Sequence, residues 1–525
     1  METEGRHTSF FHLTWTRPEN SIQWYSILAF CLVLSFLYLL FCSKSSPLYP
    51  FNDWVDANAF FTMGKGMMHG LVPYRDLFEQ KGPLLYFVYG LASLISYRTF
   101  IGGFILEAIA FTFFLFFSFK SLSLFVNRKL AALTLPILAI LILNLKAFTH
   151  GGSAEELCLP LLAISLYHLL RYLKTNDITA AAPSVFFWNG LIAGCILWVK
   201  FSMLGFWLGW ILAFFINLIS QKRAGQAVKG VAAFLGGMLA ATIPWIIYFG
   251  VNHAILDWIN TYFVINLTSY SKELSLVERL SGIAGYLFAI FAIDPIFGLI
   301  LWLGMVSFLI FKKFINKICN RIALFGSFLL LSAGIFLGGI GWVYYYLILT
   351  PLVVTGLIIA IDAVKLKAVN EISVQKTAIV IAAILFISLP LEYKFGQNTY
   401  MLALKQQDLV QYKFAEIINR SPNPKLLNYG SLDLGLYMTA GINPSFKYFE
   451  LQNLSYSSYP TNLDEQKRYI REKIPDFVVL VDYEGFRNSF LYPHGLDSNY
   501  HQVLAQNQFY EGEIIKYSLY QINGR

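Results

Sequence analysis

The chain has 525 residues, of which 57% are hydrophobic and 17% aromatic, while only 13% carry charge. A soluble domain is roughly 25% charged, so a soluble globular enzyme is excluded and most of the chain must face lipid or pack inside a helical bundle. The net charge of +8 would suggest nucleic acid in a soluble protein. Here Lys and Arg gather in short loops between apolar runs, which is the charge pattern of membrane topology, and no nucleic-acid partner is expected.

In chain order, the first 21 residues are polar and include Arg6 and Arg17, and an apolar run then covers 22–43. That run is too long for a signal-peptide core and lacks a small-residue cleavage site, so it reads as a retained helix. A spanning helix needs about 20 apolar residues, and the runs that qualify or come close are 22–43, 102–119, 130–147, 156–172, 183–199, 203–220, 230–251, 294–311, 322–339, 343–361 and 377–393. Lys120, Arg128 and Lys129 follow the second run, and Arg171 and Lys174 follow the fourth. Lys222, Arg223 and Lys229 follow the sixth; Lys312, Lys313, Lys317 and Arg321 the eighth; Lys365, Lys367 and Lys376 the tenth. Every even-numbered exit is therefore basic and cytoplasmic, which puts the N-terminus inside and the C-terminus outside. The expected fold is an α-helical polytopic membrane protein of about eleven transmembrane helices, N-in and C-out. Its parts are a cytoplasmic tail (1–21), a transmembrane domain (22–393) with a first external loop at 44–101, and a soluble extracytoplasmic α/β domain (394–525).

Two apolar stretches stand apart from this scheme. Residues 83–97 are only fifteen long, and counting them as a span would put Lys120 to Lys129 outside, so they read as a re-entrant or interfacial helix. A run at 281–293, ended by Asp294-Pro295, reads as a second interfacial helix. After residue 400 charges and turn residues become common. Strand-like runs at 425–429, 477–481 and 515–520 and helical stretches at 403–419 and 463–473 suggest an α/β layered module.

The five cysteines, Cys31, Cys42, Cys158, Cys195 and Cys319, lie in or beside apolar segments with no CxxC spacing, so neither a metal knuckle nor a disulfide framework is expected. No phosphate-cradling glycine loop, GxSxG elbow or HExxH helix is present. The cytoplasmic loops are too short for nucleotide chemistry, and free nucleotide donors are not normally available outside. A reaction on the outer face needs an activated substrate delivered through the membrane.

The first external loop, FNDWVDANAFFTMGKGMMHGLVPYRDLFEQKGPLLYF (51–87), carries the densest polar signal. Asp53 and Asp56 stand at the start of an amphipathic helix predicted over 57–69, and Lys81 precedes Pro83 at the interface. Asp56 could simply cap that helix, and Lys81 could be a snorkelling interfacial lysine. Ionisable groups at such a depth point to function when several converge. The turn THGGSAEEL (149–157) puts Glu155 and Glu156 at the outer mouth of a helix, where either could cap it, beside a Gly151-Gly152 pair that suggests close backbone approach. Lys200 is the lone charge in the turn WVKFSML and runs against the positive-inside bias, so an anionic partner is expected for it. The turn 338–351 adds Tyr344, Tyr345 and Tyr346, at least two of which fit an interfacial aromatic belt.

These residues together resemble the GT-C superfamily of polytopic glycosyltransferases, in the branch of the protein O-mannosyltransferases and the lipid A aminoarabinose transferase. The family's first external loop has an acidic residue, a helix, a Gly-x-x-Pro-Tyr-like element and a Lys-Pro-Pro-Leu-like element. They read here as Asp56, the helix 57–69, Gly70-Leu71-Val72-Pro73-Tyr74 and Lys81-Gly82-Pro83-Leu84. A later family acid is similar to Glu155, and the family lysine in an outer turn is similar to Lys200. The resemblance spans roughly residues 20–360. Two positions depart from it. Relatives often carry an acidic pair where Asp56 is followed by Ala57, and the aminoarabinose branch has a metal-associated Glu where Gln80 stands. The second departure weighs against a divalent metal, and His69, His150 and His253 form no convincing ligand set.

The resemblance implies a sugar donor linked to a polyprenyl phosphate and an acceptor that is a glycan, lipid or protein on the outer side of a cell membrane, expected to be a bacterial plasma membrane. Asp56 is implied as general base, with Asp53 as second choice; Lys81 and Lys200, and more weakly Arg75, as cations for the donor phosphate; and Glu155, Glu156, Tyr345 and Tyr346 as groups that orient the site or bind the acceptor. Other readings are a transporter or lipid flippase and a cell-surface polysaccharide polymerase or ligase. A transporter usually has repeated halves and broken helices near mid-membrane, and neither is evident. A polymerase would favour arginine-rich outer loops, and these hold few arginines.

Overall fold

The computed structural model describes residues 21–175, 182–272, 274–364, 373–482, 486, 489–510 and 513–524. The polar tail with Arg6 and Arg17, and the loop lysines Lys365 and Lys367, lie outside the described residues. The protein is a multi-pass helical membrane protein with a small sheet domain at its C-terminal end. Helix α1 (Ser21–Cys42) leads into a folded connecting segment that holds α2 (Val55–Met68) and α3 (Pro83–Ile95). Then follow α4 (Ile101–Ser123), α5 (Arg128–Leu143), α6 (Ala154–Thr175), α7 (Pro183–Lys200), α8 (Gly205–Ser220) and α9 (Ala224–Val251). The short α10 (Ile255–Ile259) runs into a π-helix at Asn260–Tyr270, followed by α11 (Leu276–Ile293), α12 (Pro295–Ile310) and α13 (Ile318–Phe336). A 3₁₀ helix at Val343–Leu352 continues into α14 (Val353–Ala363), and α15 (Val374–Phe395) completes the bundle.

Among the described residues, nine helical segments are long and apolar enough to cross a membrane, and Pro83–Ile95 and Pro295–Ile310 are shorter apolar helices. One of the nine runs from Pro183 to Ser220, but the backbone at Lys200 is extended (φ −158°, ψ 99°), so α7 and α8 are separate helices. Small residues let the helices approach closely, as in other membrane bundles. A Cβ on Gly190 would meet the Phe234 carbonyl and one on Gly194 would meet Ala241, so α7 and α9 run side by side in the same direction. Gly205 abuts Leu330, Gly209 abuts Ser327, and Asn217 donates to Asn320, so α8 and α13 run in opposite directions.

These directions sort the loops to two ends. At one end the Lys120 and Arg128 cations face the ring of Trp24, and Lys174 donates to the Leu124 carbonyl. At the other end Asn398 donates to the carbonyls of Cys42 and Thr149 at 2.6 and 2.8 Å. Helix α11 has 18 residues, enough to cross, yet both its ends meet this second end of the bundle. Arg279 donates to the Leu337 carbonyl, while Asp294 accepts from the Lys146 N–H and the Tyr346 hydroxyl. That is the placement expected of an interfacial helix over 281–293.

The C-terminal segment contains a four-stranded sheet in the order β1-β2-β4-β3. The strands are β1 (Leu426–Asn428), β2 (Phe477–Asp482), β3 (Tyr500–Tyr510) and β4 (Glu513–Ile522). β1 and β2 are parallel, and the other pairs are antiparallel. Helices α16 (Val410–Ile418), α17 (Leu436–Thr439), α18 (Thr461–Arg471) and α19 (Leu496–Asn499) pack around it. The anticipated strands correspond to β1, β2 and β4; β3 was not anticipated. This module sits directly on the α2–α3 segment. The Phe78 N–H donates to the Lys447 carbonyl at 2.8 Å, and the Phe78 ring stacks on Tyr459 with centroids 5.3 Å apart. Thr62 of α2 donates to Asp433 at 2.6 Å.

Candidate active site

Helix α2 starts after Trp54, which makes no side-chain cap. Asp56 therefore does not cap the helix; it lies in the first turn and accepts a hydrogen bond from the Tyr344 hydroxyl at 3.1 Å. Tyr344 reaches it from the 3₁₀ helix at Val343–Leu352. Trp54 packs edge-on against Tyr344 with centroids 5.4 Å apart, and stacks on His150 at 4.9 Å. These rings hold the carboxylate in a largely apolar wall.

The backbone between α2 and α3 is shaped to present Lys81. Tyr74 is a buried non-glycine residue at φ 70°, a left-handed conformation that costs a tyrosine roughly 1 kcal/mol or more. Its N–H donates to the Leu77 carbonyl at 2.7 Å, and its hydroxyl holds the Lys81 carbonyl at 2.6 Å. Asn266 of the π-helix holds the Gln80 carbonyl at 2.9 Å. The Gly82 N–H donates to the Val199 carbonyl at 3.0 Å, one residue before Lys200. A Cβ on Gly82 would lie 2.0 Å from the Trp198 carbonyl oxygen, so only glycine lets the Lys81 loop seat on the end of α7.

Lys200 finds its anionic partner in Glu155, at 2.5 Å across the tops of α6 and α7. Its ammonium also lies over the Tyr345 ring, 3.4 Å from the centroid, a cation–π contact. Lys81 lies 3.7 Å from Glu79 and 5.6 Å above the Phe60 ring. The charges of Asp56 and Lys81 act on Lys200, and those of Asp56 and Glu155 act on Lys81, so the four groups share one field. Burial pushes the Asp56 carboxyl above the usual range, with Glu79 and Glu155 adding to the rise; Lys81 and the Tyr344 hydroxyl oppose it. For Lys81, burial pulls the ammonium down, but the carboxylates of Glu79, Asp56 and Glu155 outweigh it, leaving the pKa above the usual lysine range. The result is a carboxylate of raised basicity beside two fixed cations, which suits proton abstraction next to a bound anion.

Other anticipated residues lie elsewhere. Asp53 is held by Lys44 at 2.6 Å, so this acid is already neutralised and is a poor second base. Arg75 is exposed, lies against Asp76 at 2.8 Å and donates to the Asn252 carbonyl at 2.8 Å, away from the lysines. Glu156 turns from Glu155 and accepts the Gly152 N–H at 2.6 Å, on the side of Glu107. Gly152 (φ 75°) supplies this contact and accepts from Tyr89 at 2.5 Å. Tyr346 bonds Asp294 instead of the site, while Tyr345 shares a 3.1 Å hydrogen bond with Tyr270.

Two groups escaped the sequence. Tyr344, one of three adjacent tyrosines, is the one on Asp56. Glu79 rather than residue 80 supplies the acid beside the lysine: its Oε2 accepts the Lys81 N–H at 2.8 Å and the Tyr86 hydroxyl, and its Oε1 faces the Lys81 ammonium. A Glu two residues before the lysine was visible, but its turn toward Lys81 depends on the Tyr74 kink. Among the described residues no three His, Cys, Asp or Glu side chains converge.

This architecture has the same overall fold as ArnT. ArnT from Cupriavidus metallidurans, in the crystal structure bound to undecaprenyl phosphate, matches with a TM-score of 0.60 at 12% identity, over 95% of this chain and 98% of that one. Its apo structure matches with a TM-score of 0.57 at 12% identity, over 94% and 97%. The archaeal oligosaccharyltransferase AglB from Archaeoglobus fulgidus, in complex with an inhibitory peptide and a dolichol-phosphate, gives a TM-score of 0.45 at 10% identity, over 94% of this chain and 74% of that one. No curated protein matches the sequence. The chain belongs to the family described as putative competence-induced protein Ccs4, N-terminal domain, whose model matches residues 19–405.

Proposed function

We propose that the protein is a membrane glycosyltransferase that moves a sugar from a polyprenyl-phosphate carrier to an acceptor hydroxyl on the outer face of the membrane. The observation that carries this reading is the convergence of Asp56 with two lysines far apart in sequence: the Lys200 ammonium lies 5.8 Å from the centre of the Tyr344 ring whose hydroxyl donates to Asp56, and the Lys81 loop is bonded through Gly82 to Val199, next to Lys200. The structural likeness to ArnT, solved with undecaprenyl phosphate, fits a lipid-phosphate donor. The acceptor oxygen attacks the anomeric carbon as its proton passes to the Asp56 carboxylate. The bond from that carbon to the phosphate oxygen breaks, and the electron pair leaves with the polyprenyl phosphate. Lys81 and Lys200 stabilise the charge that builds on this leaving group, and Glu155 and Glu79 hold the two ammonium groups in place. Direct displacement inverts the anomeric centre.

The test is release of undecaprenyl phosphate from a panel of undecaprenyl-phosphate-linked sugars by the purified, reconstituted protein, with envelope glycans compared by mass analysis with and without it. Asp56→Asn is expected to keep donor binding and lower transfer by about 10²–10⁴-fold, the usual worth of a general base. Full transfer by a folded Asp56→Asn protein would overturn the assignment.

A further inference from the structure

The far end of α2 carries a second group of cations that the transfer site does not use. Lys65 lies nine residues after Asp56 on the same helix, about 14 Å away at 1.5 Å per residue. Its side chain is buried, and its ammonium donates to the carbonyls of Tyr437 and Ile442, each at 2.7 Å. An ammonium has three N–H groups, so one remains beyond these two bonds. Next to it is a cavity of about 260 Å³ lined by Lys65, His69, Ser93, Leu94, Tyr97 and Asn443, with Gly441 at its edge. That is room for a phosphate and its ester arms.

The charges around this cavity are unbalanced. The Arg98 guanidinium lies beside Gly441 and over the Tyr97 ring at 5.4 Å, and it has no ion-pair partner among the described residues. Its charge acts on Lys65, whose one carboxylate neighbour, Asp433, is already bonded to Thr62 and the Gly435 N–H. Burial, together with Arg98, brings the Lys65 ammonium down to about 7, so a bound anion would restore its charge. The buried Oδ1 of Asn443 has no hydrogen-bond partner, and rotation of that amide would offer an N–H to the cavity instead. The rim is apolar: Phe87, Leu91, Leu94 and Ile95 are exposed at helical spacing along α3, ending at the exposed Tyr97. A stripe of this kind faces lipid, and a tyrosine at its end suits the headgroup level.

We propose that this cavity binds the phosphate of an anionic phospholipid, with Lys65, His69 and Arg98 around the headgroup and the acyl chains along the exposed face of α3. The continuity of the lipid-facing stripe with the cavity wall at Leu94 and Tyr97 selects a lipid phosphate over a free one. This site is separate from the transfer centre and does not rest on the reading of that centre.

The test uses native mass spectrometry of the purified full chain, offered phosphatidylglycerol or phosphatidylcholine at equal concentration, with inorganic phosphate as competitor. Wild type is expected to retain phosphatidylglycerol about tenfold over phosphatidylcholine, as two basic residues at a headgroup allow. The exposed double variant His69→Gln/Arg98→Ser is expected to lose that preference, and Asn443→Ala to weaken it. Arg420→Ser, which removes a cation from the sheet module, is expected to leave it intact. Equal retention of the two lipids by wild type, or an undiminished preference in the double variant, would overturn the proposal. Inorganic phosphate protecting the protein in a thermal shift while phosphatidylglycerol does no better than phosphatidylcholine would overturn the lipid assignment. Lipid retention is the readout throughout, so failure here leaves the transfer reading to its own assay.

Discussion

Tyr344, Tyr345 and Tyr346 are adjacent in sequence and serve three different partners: Asp56, Tyr270 with Lys200, and Asp294. The cause is the 3₁₀ helix they occupy. Three residues per turn put successive side chains about 120° apart, so a run of identical residues radiates instead of lining one wall. Sequence alone cannot sort such a run, because any helix fans consecutive side chains apart and the partner each one meets is set by packing. Lys200 stood out for the opposite reason, as the lone charge in an apolar turn, and the anionic partner expected for it is Glu155. The Tyr344 hydroxyl stabilises the Asp56 carboxylate, and burial works against it. In the proposed mechanism transfer needs the deprotonated carboxylate, so activity should rise with pH through the Asp56 titration. Tyr344→Phe removes a stabilising donor, which raises that pKa and moves the acidic limb of the rate profile to higher pH. An acidic limb that stays in place in the variant, measured as transfer against pH, would show that Asp56 does not titrate in the reaction.

At the scale of elements, the helices and the basic loops followed from apolar length and charge position, and the gathering of Trp24, Lys120 and Arg128 at one end agrees with that pattern. What the sequence did not disclose was the fine seating of one element on another. β3 reads HQVLAQNQFY without a clean apolar alternation, because most of it is exposed or half-buried, so its strand character comes from pairing with β4. The Lys81 loop is likewise set by contact: Tyr74 grips the Lys81 carbonyl, and Gly82 lies flat against Trp198. A methyl group at Gly82 has nowhere to go except by lifting the loop from α7, which carries Lys81 away from Lys200. Gly82→Ala should therefore assemble in the membrane at near-normal levels yet lose transfer by about 10²–10³-fold, the scale of removing one charge-stabilising donor. Wild-type turnover in Gly82→Ala would mean that the spacing of the two lysines is unimportant.

Across the whole molecule, the sheet module and the site-bearing segment are joined by buried ionisable groups, so the joint between them responds to pH. Burial pushes the Asp433 carboxyl up to about 6 from 3.8. Between those values the folded protein keeps a proton that the unfolded chain has released, so stability falls as pH climbs through that window and flattens above it. Lys65 acts in the opposite sense. Its ammonium titrates at about 7 when folded and at 10.5 when exposed, so stability rises with pH between those values as the folded state sheds a proton the unfolded chain retains. From these two groups the joint is weakest near pH 6 to 7 and firmer on either side. Hydrogen exchange of the amides in α17 (Leu436–Thr439), whose Tyr437 carbonyl meets Lys65, reads local opening of this joint directly. After correction for the intrinsic pH dependence of exchange, protection should pass through a minimum in that range. Asp433→Asn removes the share of the acidic arm that Asp433 supplies and leaves the alkaline one; Glu450, which accepts the Asp433 N–H and is itself pushed up by burial, still titrates, as does Lys65. Protection that declines between pH 4 and 6 as steeply in Asp433→Asn as in wild type would place the titrating group elsewhere and remove Asp433 from the joint's pH response.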